Sequence, residues 1–358
     1  MPGRITQAWL WYPPAMRFVV VGAGAIGTAI GGYLAQAGFD VILVSRASHA
    51  SAIHEQGLTL KTAAGVFQPT LTAVATVRGT KWQPEDVIFL TCKSQHTQDL
   101  LTDLKDAPIE TPIFCFQNGV RNEEWAAEMF TSVYAGLVQI SANFVEPGVV
   151  EHTRNDVLAI GKYPSGLDDV TARVGAALEN AGFQVTYYES AMPRKWGKLL
   201  VNLNNALYAL IDTWLQWAYT DVETRMFLAA TMKEGLDVIS KAGVEIQMGP
   251  GEPPADDFVK RMIAGGFAYP DALDLPPERR TYPSTWQDVM LHRKTTEVEH
   301  FNGEIVRLGK KYGVATPYNT ALLEMTRELL QRSAMPGFFT LYQVQQRVRE
   351  LKEEYRND

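Results

Sequence analysis

Lys198, Asn202 and Asn205 are spaced i, i+4, i+7 in a run whose other positions, Leu199, Leu200, Val201, Leu203, Leu207 and Leu210, are apolar. On one continuous helix these three share a side. An ammonium and two carboxamides on an otherwise buried helix are costly without partners. Lysine, with a reference pKa of about 10.4, is protonated at neutral pH. It can hand a proton to a carbonyl oxygen and stabilise the charge that develops there. The competing reading is a helix with one solvated edge, on which Lys195 and Lys198 are surface lysines. Other candidates lie elsewhere. Asn118, in Phe116-Gln117-Asn118-Gly119, ends a predicted strand and reaches into a crevice or simply makes an Asn-Gly turn. Lys93, in Thr91-Cys92-Lys93-Ser94, suits a cofactor phosphate or a substrate carboxylate, or is a charge before a helix. Ser284 and Glu297 mark two downstream segments, and a lone helical glutamate usually faces solvent.

A second chemistry lies near the start. Gly22-Ala23-Gly24-Ala25-Ile26-Gly27 follows the apolar run Phe18–Val21, opens a helix-like stretch from Ala25 to Ala37, and precedes a second apolar run, Val41–Val44. That strand–turn–helix–strand context turns G-x-G-x-x-G into a dinucleotide expectation. Gly22 permits the tight turn, Gly24 a close approach of backbone to pyrophosphate, and Gly27 close helix–strand packing. The second strand ends at Ser45-Arg46 with no acid at its tip. An acid there would bond the ribose 2′-OH of NAD. An arginine beside a serine suits a 2′-phosphate instead, so the expected cofactor is NADP(H). The competing reading makes Arg46 a solvated loop arginine.

The elements around these residues fall into two halves. From residue 17 to about 188 strands and helices alternate, with strands expected at Phe18–Val21, Val41–Val44, Val87–Thr91, Ile113–Phe116 and Val133–Gln139, and a last one at Gln184–Tyr188. The class is α/β, a doubly wound Rossmann-type sheet. Two hairpins are expected, Leu58–Leu60 with Val66–Thr72, and Val149–Thr153 with Val157–Ile160 turning at Asn155-Asp156. Beyond that, Met192–Asp212, Asp221–Ala242, Thr285–Tyr312, Pro317–Arg332 and Leu341–Tyr355 carry helical periodicity. The expected organisation is an N-terminal extension over 1–15, a nucleotide-binding domain over 16–189 and an all-helical substrate domain over 190–358, with the active site in the cleft between the two domains. Leu341–Tyr355 is amphipathic and suits docking on its own domain or on a second copy in a homodimer.

Composition excludes several classes. The 358 residues carry a net charge of −7, which gives no basis for a nucleic-acid or membrane-surface partner. No apolar stretch has the length of a membrane span. Residues 1–15 lack the apolar core of a signal peptide. The two cysteines, Cys92 and Cys115, lie in apolar runs and read as buried thiols rather than a disulfide or metal site. A cytoplasmic enzyme without a metal is expected.

Taken in order, the glycine loop, Arg46, Lys93, Gln117-Asn118-Gly119, Lys198-Leu199-Leu200-Val201-Asn202, Ser284, Gln287-Asp288, Thr296-Glu297 and Asn302-Gly303 resemble the ketopantoate reductase family from Met16 to about Arg332. The resemblance implies a Rossmann domain followed by a helical domain of the 6-phosphogluconate-dehydrogenase type, and NADPH-dependent reduction of a small 2-keto acid, ketopantoate, in pantothenate biosynthesis. It implies Lys198 as general acid, Glu297 as its support, Asn118 on cofactor or substrate, Asn202 and Ser284 on substrate, and Lys93 along the cofactor. Two departures stand out. The family's second asparagine falls at Ala206, one residue after Asn205, and adjacent helical positions point about 100° apart. The segment before Glu297 is one residue longer, which makes Glu299 the fallback. Alternatives are a related two-domain reductase of another keto acid or a sugar phosphate, or a non-catalytic NADP sensor.

Overall fold

The computed structural model describes residues 16–357; the extension expected over 1–15 lies outside the described residues. The chain forms two compact units. One comprises the chain up to Gln117 together with Asn122–Ala191, and the other joins Asn118–Arg121 to Met192–Asp358.

The first unit is a ten-stranded sheet with helices. Its strands are β1 Arg17–Val21, β2 Asp40–Val44, β3 Thr59–Thr62, β4 Gly65–Phe67, β5 Thr72–Val74, β6 Asp86–Leu90, β7 Ile113–Cys115, β8 Val133–Glu146, β9 Val149–Lys162 and β10 Gln184–Tyr187. They are ordered β4-β3-β9-β8-β7-β6-β1-β2-β5, with β10 also on β9. The pairs from β5 across to β8 are parallel, and β8–β9 and β3–β4 are antiparallel. The helices are α1 Ala25–Gln36, α2 Ala47–Gln56, α3 Thr97–Asp103, α4 Asn122–Ala127 and α5 Asp169–Asn180.

Both faces of the sheet are covered, so its central strands are apolar throughout rather than alternating. Phe18, Val20 and Phe89 share one core with Ile30 and Leu34 of α1 and with Val174 and Leu178 of α5. Val19, Val21, Ile88 and Leu90 share the other with Leu101 of α3 and Ala126 of α4. A buried Arg17–Asp86 ion pair, bidentate at 2.7 and 2.8 Å, ties β1 to β6 at their starts. Strand order reverses between those two strands, so the loops at their carboxyl ends flank a topological switch point, where ligands of such sheets bind.

Two strand expectations fail. Val66–Thr72 is not one strand: β4 stops at Phe67, Pro69 interrupts the ladder, and β5 pairs with β2 instead. Asn155-Asp156 is not a turn. β9 runs straight through it, and the hairpin closes at Pro147-Gly148, where Gly148 takes φ +82°. Between the pairs Gln139–Val157 and Ser141–Arg154, β9 carries one residue more than β8. The turn-forming pair therefore marks a β-bulge.

His49 of α2 holds the tip of this hairpin. The ring is buried, and its Nδ1 accepts the Gly148 amide at 2.9 Å. Its proton therefore sits on Nε2, which donates to Thr28 Oγ1 at 3.1 Å, and Thr28 donates in turn to the Ala23 carbonyl at 3.3 Å. Burial, then the charge of Arg46, lowers the His49 pKa to about 4. A cationic group depressed in the fold contributes stability that is whole above its unfolded pKa of about 6.5 and is lost as pH falls through 4. We expect up to about 3 kcal/mol of acid-side loss from this residue. Denaturant unfolding of wild type and His49→Gln across that window checks it, because the variant should lack this part of the slope.

The second unit is helical: α6 Met192–Asn202, α7 Asn205–Leu210, α8 Leu215–Thr220, α9 Val222–Lys241, α10 Ala255–Ile263, α11 Ser284–Met290, α12 Asn302–Tyr312, α13 Pro317–Gln331 and α14 Leu341–Asn357. Its core gathers Leu199, Leu200, Leu203, Leu207, Leu228, Met232, Ile305 and Leu322. Two stretches expected as single helices are broken. Met192–Asp212 divides after Asn202, and Thr285–Tyr312 becomes α11, a 3₁₀ turn over Glu297–His300, and α12. The amphipathic C-terminal helix docks on its own unit, with Val344, Val348 and Leu351 buried against the core that α13 shares. Among the described residues no helix is long and apolar enough to cross a membrane.

Candidate active site

The three loop glycines answer to different demands. Gly22 has φ +80°, and a Cβ there would stand 2.5 Å from that of Cys92. A Cβ on Gly27 would stand 2.2 Å from Thr91 Oγ1. Both are glycines because the protein crowds them. A Cβ on Gly24 would meet nothing of the protein within 4 Å. No internal crowding demands glycine there, whereas a close-lying phosphate would. Gly24 caps α1, and no side chain caps that end. The amides of Gly22 and Ala23 go to the Val44 carbonyl, and that of Gly24 to Gly22. Those of Ala25, Ile26 and Gly27 open the helix, where it has no carbonyl of its own to offer them. Such an end suits a pyrophosphate.

Arg46 caps α2 directly after β2, with its side chain exposed and its guanidinium carbon 5.7 Å from the centre of the Phe144 ring. Ser45 beside it is buried. Lys93, half-buried, follows β6 and precedes the 3₁₀ turn Ser94–His96. Gln117, next to Asn118, is buried and donates to Thr97 Oγ1 at 3.2 Å.

In the helical unit, Asn118, Lys198 and Glu297 come together. Asn118 Nδ2 donates to Glu297 Oε2 at 3.4 Å. Glu297 is buried at the start of its 3₁₀ turn, after Thr296, whose hydroxyl accepts the Val298 amide. Lys198 lies on α6 within electrostatic reach of Glu297. Burial, then the like charge of Lys195, pulls the Lys198 pKa down to about 8, while Glu297 pushes it up and Arg194 pulls it down. The group therefore stays mostly protonated at neutral pH and yields its proton more readily than an ordinary lysine. Glu299 is placed otherwise: it is exposed and makes a bidentate ion pair with Arg327 at 2.6 Å. Of the two glutamates, Glu297 is the one beside the lysine.

The shared helical face of Lys198, Asn202 and Asn205 does not form. α6 ends at Asn202 and Asn205 begins α7, so the two asparagines stand on different helices. The ladder closes early, with the Asn204 amide on the Val201 carbonyl at 3.3 Å, and the Leu203 carbonyl, which an unbroken helix would offer to the Leu207 amide, instead accepts from Asn302 Nδ2 at 2.9 Å, while Leu207 bonds to Asn204. Both Asn202 and Asn205 are half-buried, and Ala206 is enclosed in the apolar core. Ser284, half-buried, opens α11, which packs on α7.

The sequence pattern hides two features. Arg194 and Lys195 are both buried, with Arg194 donating to the Gln247 carbonyl at 2.9 Å. Lys195 is thus a charge held near Lys198, not a surface lysine. Gly197 lies between them because a Cβ there would stand 2.1 Å from the Gln247 carbonyl oxygen. Glycine inside a helix was the available signal for that close approach.

A Rossmann-type sheet with a glycine-rich loop at its switch point, joined to a helical unit carrying a buried glutamate within electrostatic reach of a half-buried lysine, defines the class. Two family models match the chain: "Ketopantoate reductase PanE/ApbA" over residues 18–165 and "Ketopantoate reductase PanE/ApbA C terminal" over 190–330. The 2-dehydropantoate 2-reductase of Pyrococcus horikoshii is 30% identical over 314 residues, which cover 87% of this chain and 97% of that one. That of Aquifex aeolicus is 27% identical over 319 residues. Among solved structures, a PanE/ApbA family ketopantoate reductase from Ralstonia eutropha aligns with a TM-score of 0.76 at 27% identity, covering 89% of this chain and 99% of that one. A D-mandelate dehydrogenase solved with NADH and anilino(oxo)acetate shares the fold at TM-score 0.76 and 24% identity, with the same coverage. The chain belongs to the ketopantoate reductase family, whose members are keto acid reductases.

Proposed function

We propose that the protein reduces a 2-keto acid to the 2-hydroxy acid with NADPH, ketopantoate being the first candidate substrate. The observation that carries this is the Asn118–Glu297–Lys198 cluster, a buried carboxylate beside a lysine whose proton is loosened to a pKa of about 8. The nucleotide would lie with its pyrophosphate on the amides of Ala25, Ile26 and Gly27, its 2′-phosphate at Arg46 and Ser45, and Lys93 alongside. When bound, its nicotinamide supplies the hydride. Lys198 Nζ gives its proton to the ketone oxygen as negative charge builds there. Glu297 keeps that ammonium charged, and Asn118 orients Glu297. Asn202 and Ser284 hold the substrate's hydroxyl and carboxylate ends, and Asn205, at the start of α7, is a further candidate for holding it. The fold neighbour solved with NADH carries no acid–base argument for this chain, and the preference for NADPH rests on Arg46.

The substitution of asparagine by Ala206 favours a second reading within the same chemistry. A site built to bond a substrate hydroxyl discriminates strongly, by up to about 10⁴-fold, and a site lacking the partner loses that discrimination. An acid without ketopantoate's hydroxyl would then be turned over as well or better. NADPH oxidation measured with ketopantoate beside branched and aromatic 2-keto acids tests both readings. Turnover of another acid but not ketopantoate would sink the narrower one, and nucleotide binding without oxidation of NADPH across the panel would sink both.

A further inference from the structure

We propose that Phe144, near the end of β8, is a cofactor-specificity residue: its ring is the platform on which Arg46 is held ready for a 2′-phosphate. This rests on the NADPH reading above and deepens it. Arg46 starts α2, and His49, three residues on, clamps the hairpin turn through the Gly148 amide. One short helix thus carries both the arginine and the latch that brings Phe144 beneath it. The ring of Phe144 lies 4.8 Å from that of His49 and packs onto Ala29, Leu60 and Val150. Its position is set on one side by this small core, and its other partner is the guanidinium.

Arg46 makes no ion pair with a carboxylate among the described residues. An exposed, unpaired arginine samples many rotamers and gives up side-chain entropy when a ligand fixes it. Stacking over an aromatic face orders the guanidinium beforehand at no cost to its outward N–H groups, and is itself worth about 0.5–1 kcal/mol at an exposed site. The selectivity for the phosphorylated nucleotide is therefore divided between the charge, which Arg46 supplies, and its placement, which the β8–β9 hairpin supplies.

The test is titration calorimetry of ADP-ribose and its 2′-phosphate on the full chain, for wild type, Arg46→Ala, Phe144→Leu and Phe144→Tyr. Wild type should prefer the phosphorylated nucleotide, and Arg46→Ala should abolish the preference. Phe144→Leu, which fills the core without a ring, should lower the ratio about two- to fivefold with the affinity for ADP-ribose unchanged. Phe144→Tyr should keep the wild-type ratio. An unchanged ratio in Phe144→Leu, or equal loss for both nucleotides, overturns the proposal and makes Phe144 a packing residue. Equal binding of both nucleotides by wild type overturns instead the NADPH reading on which it rests.

Discussion

Lys198→Ala is expected to lower kcat for keto acid reduction by about 10²–10⁴-fold, the range for loss of a positioned general acid. Nucleotide affinity should not change, because every residue assigned to the nucleotide other than Asn118 belongs to the sheet unit. The same assignment sets a pH dependence. With a pKa of about 8, lowered chiefly by burial and by Lys195, Lys198 is protonated below that pH. Reduction needs the proton, so its rate should be level up to about pH 8 and fall above it. Oxidation of the 2-hydroxy acid needs the free amine and should rise over the same range. Lys198→Arg should not rescue, since arginine does not release its proton in this range. Steady-state rates in both directions across pH 6–10, with binding of NADPH measured separately, check the whole set. Equal loss of turnover and nucleotide binding in Lys198→Ala would make the residue structural.

Asn302→Ala should destabilise the helical unit by about 2–4 kcal/mol, which denaturant unfolding would measure. Asn302 is buried and its Nδ2 donates both to the Leu203 carbonyl and to Asn319 Oδ1, each at 2.9 Å. Asn319, also buried, passes the chain on to Glu234 Oε1 at 2.8 Å, and Glu234 accepts the Tyr318 and Asn319 amides at the start of α13. Three helices, α9, α12 and α13, and the α6–α7 junction are thereby tied through one polar thread. Removal of the amide leaves two acceptors buried without it, and an unmet buried acceptor costs more than a made bond returns. Activity should fall far less than in Lys198→Ala, because the damage is to the support of the α6–α7 junction and not to the proton donor. A change of stability under 1 kcal/mol would mean that the thread is replaced easily.

Most of the sheet unit is legible residue by residue. Phe18–Val21 and Val87–Leu90 are apolar without alternation because both faces are covered, and the glycine loop sits where a parallel sheet reverses its order. The misread elements are those whose local signal has two meanings. Asn155-Asp156 suits a turn, but a bulge uses the same backbone freedom, and the Pro147-Gly148 pair took the turn. Lys198 to Asn205 keeps helical spacing, yet Asn302, 99 residues beyond Leu203, takes the Leu203 carbonyl, and the helix divides there.

The amino-acid sequence by itself determined the nucleotide half of this protein, the helical character of the other half, and Lys198 as the residue to suspect. It did so because glycine-loop chemistry and hydrophobic period act over a few neighbouring residues. Only the tertiary structure set Glu297 near Lys198 and Glu299 on Arg327, buried Lys195 beside Lys198 and brought Phe144 beneath Arg46. Each of these depends on which distant side chain arrives at a point in space, and burial and charge at that point, not spacing along the chain, set what a lysine or glutamate there can do.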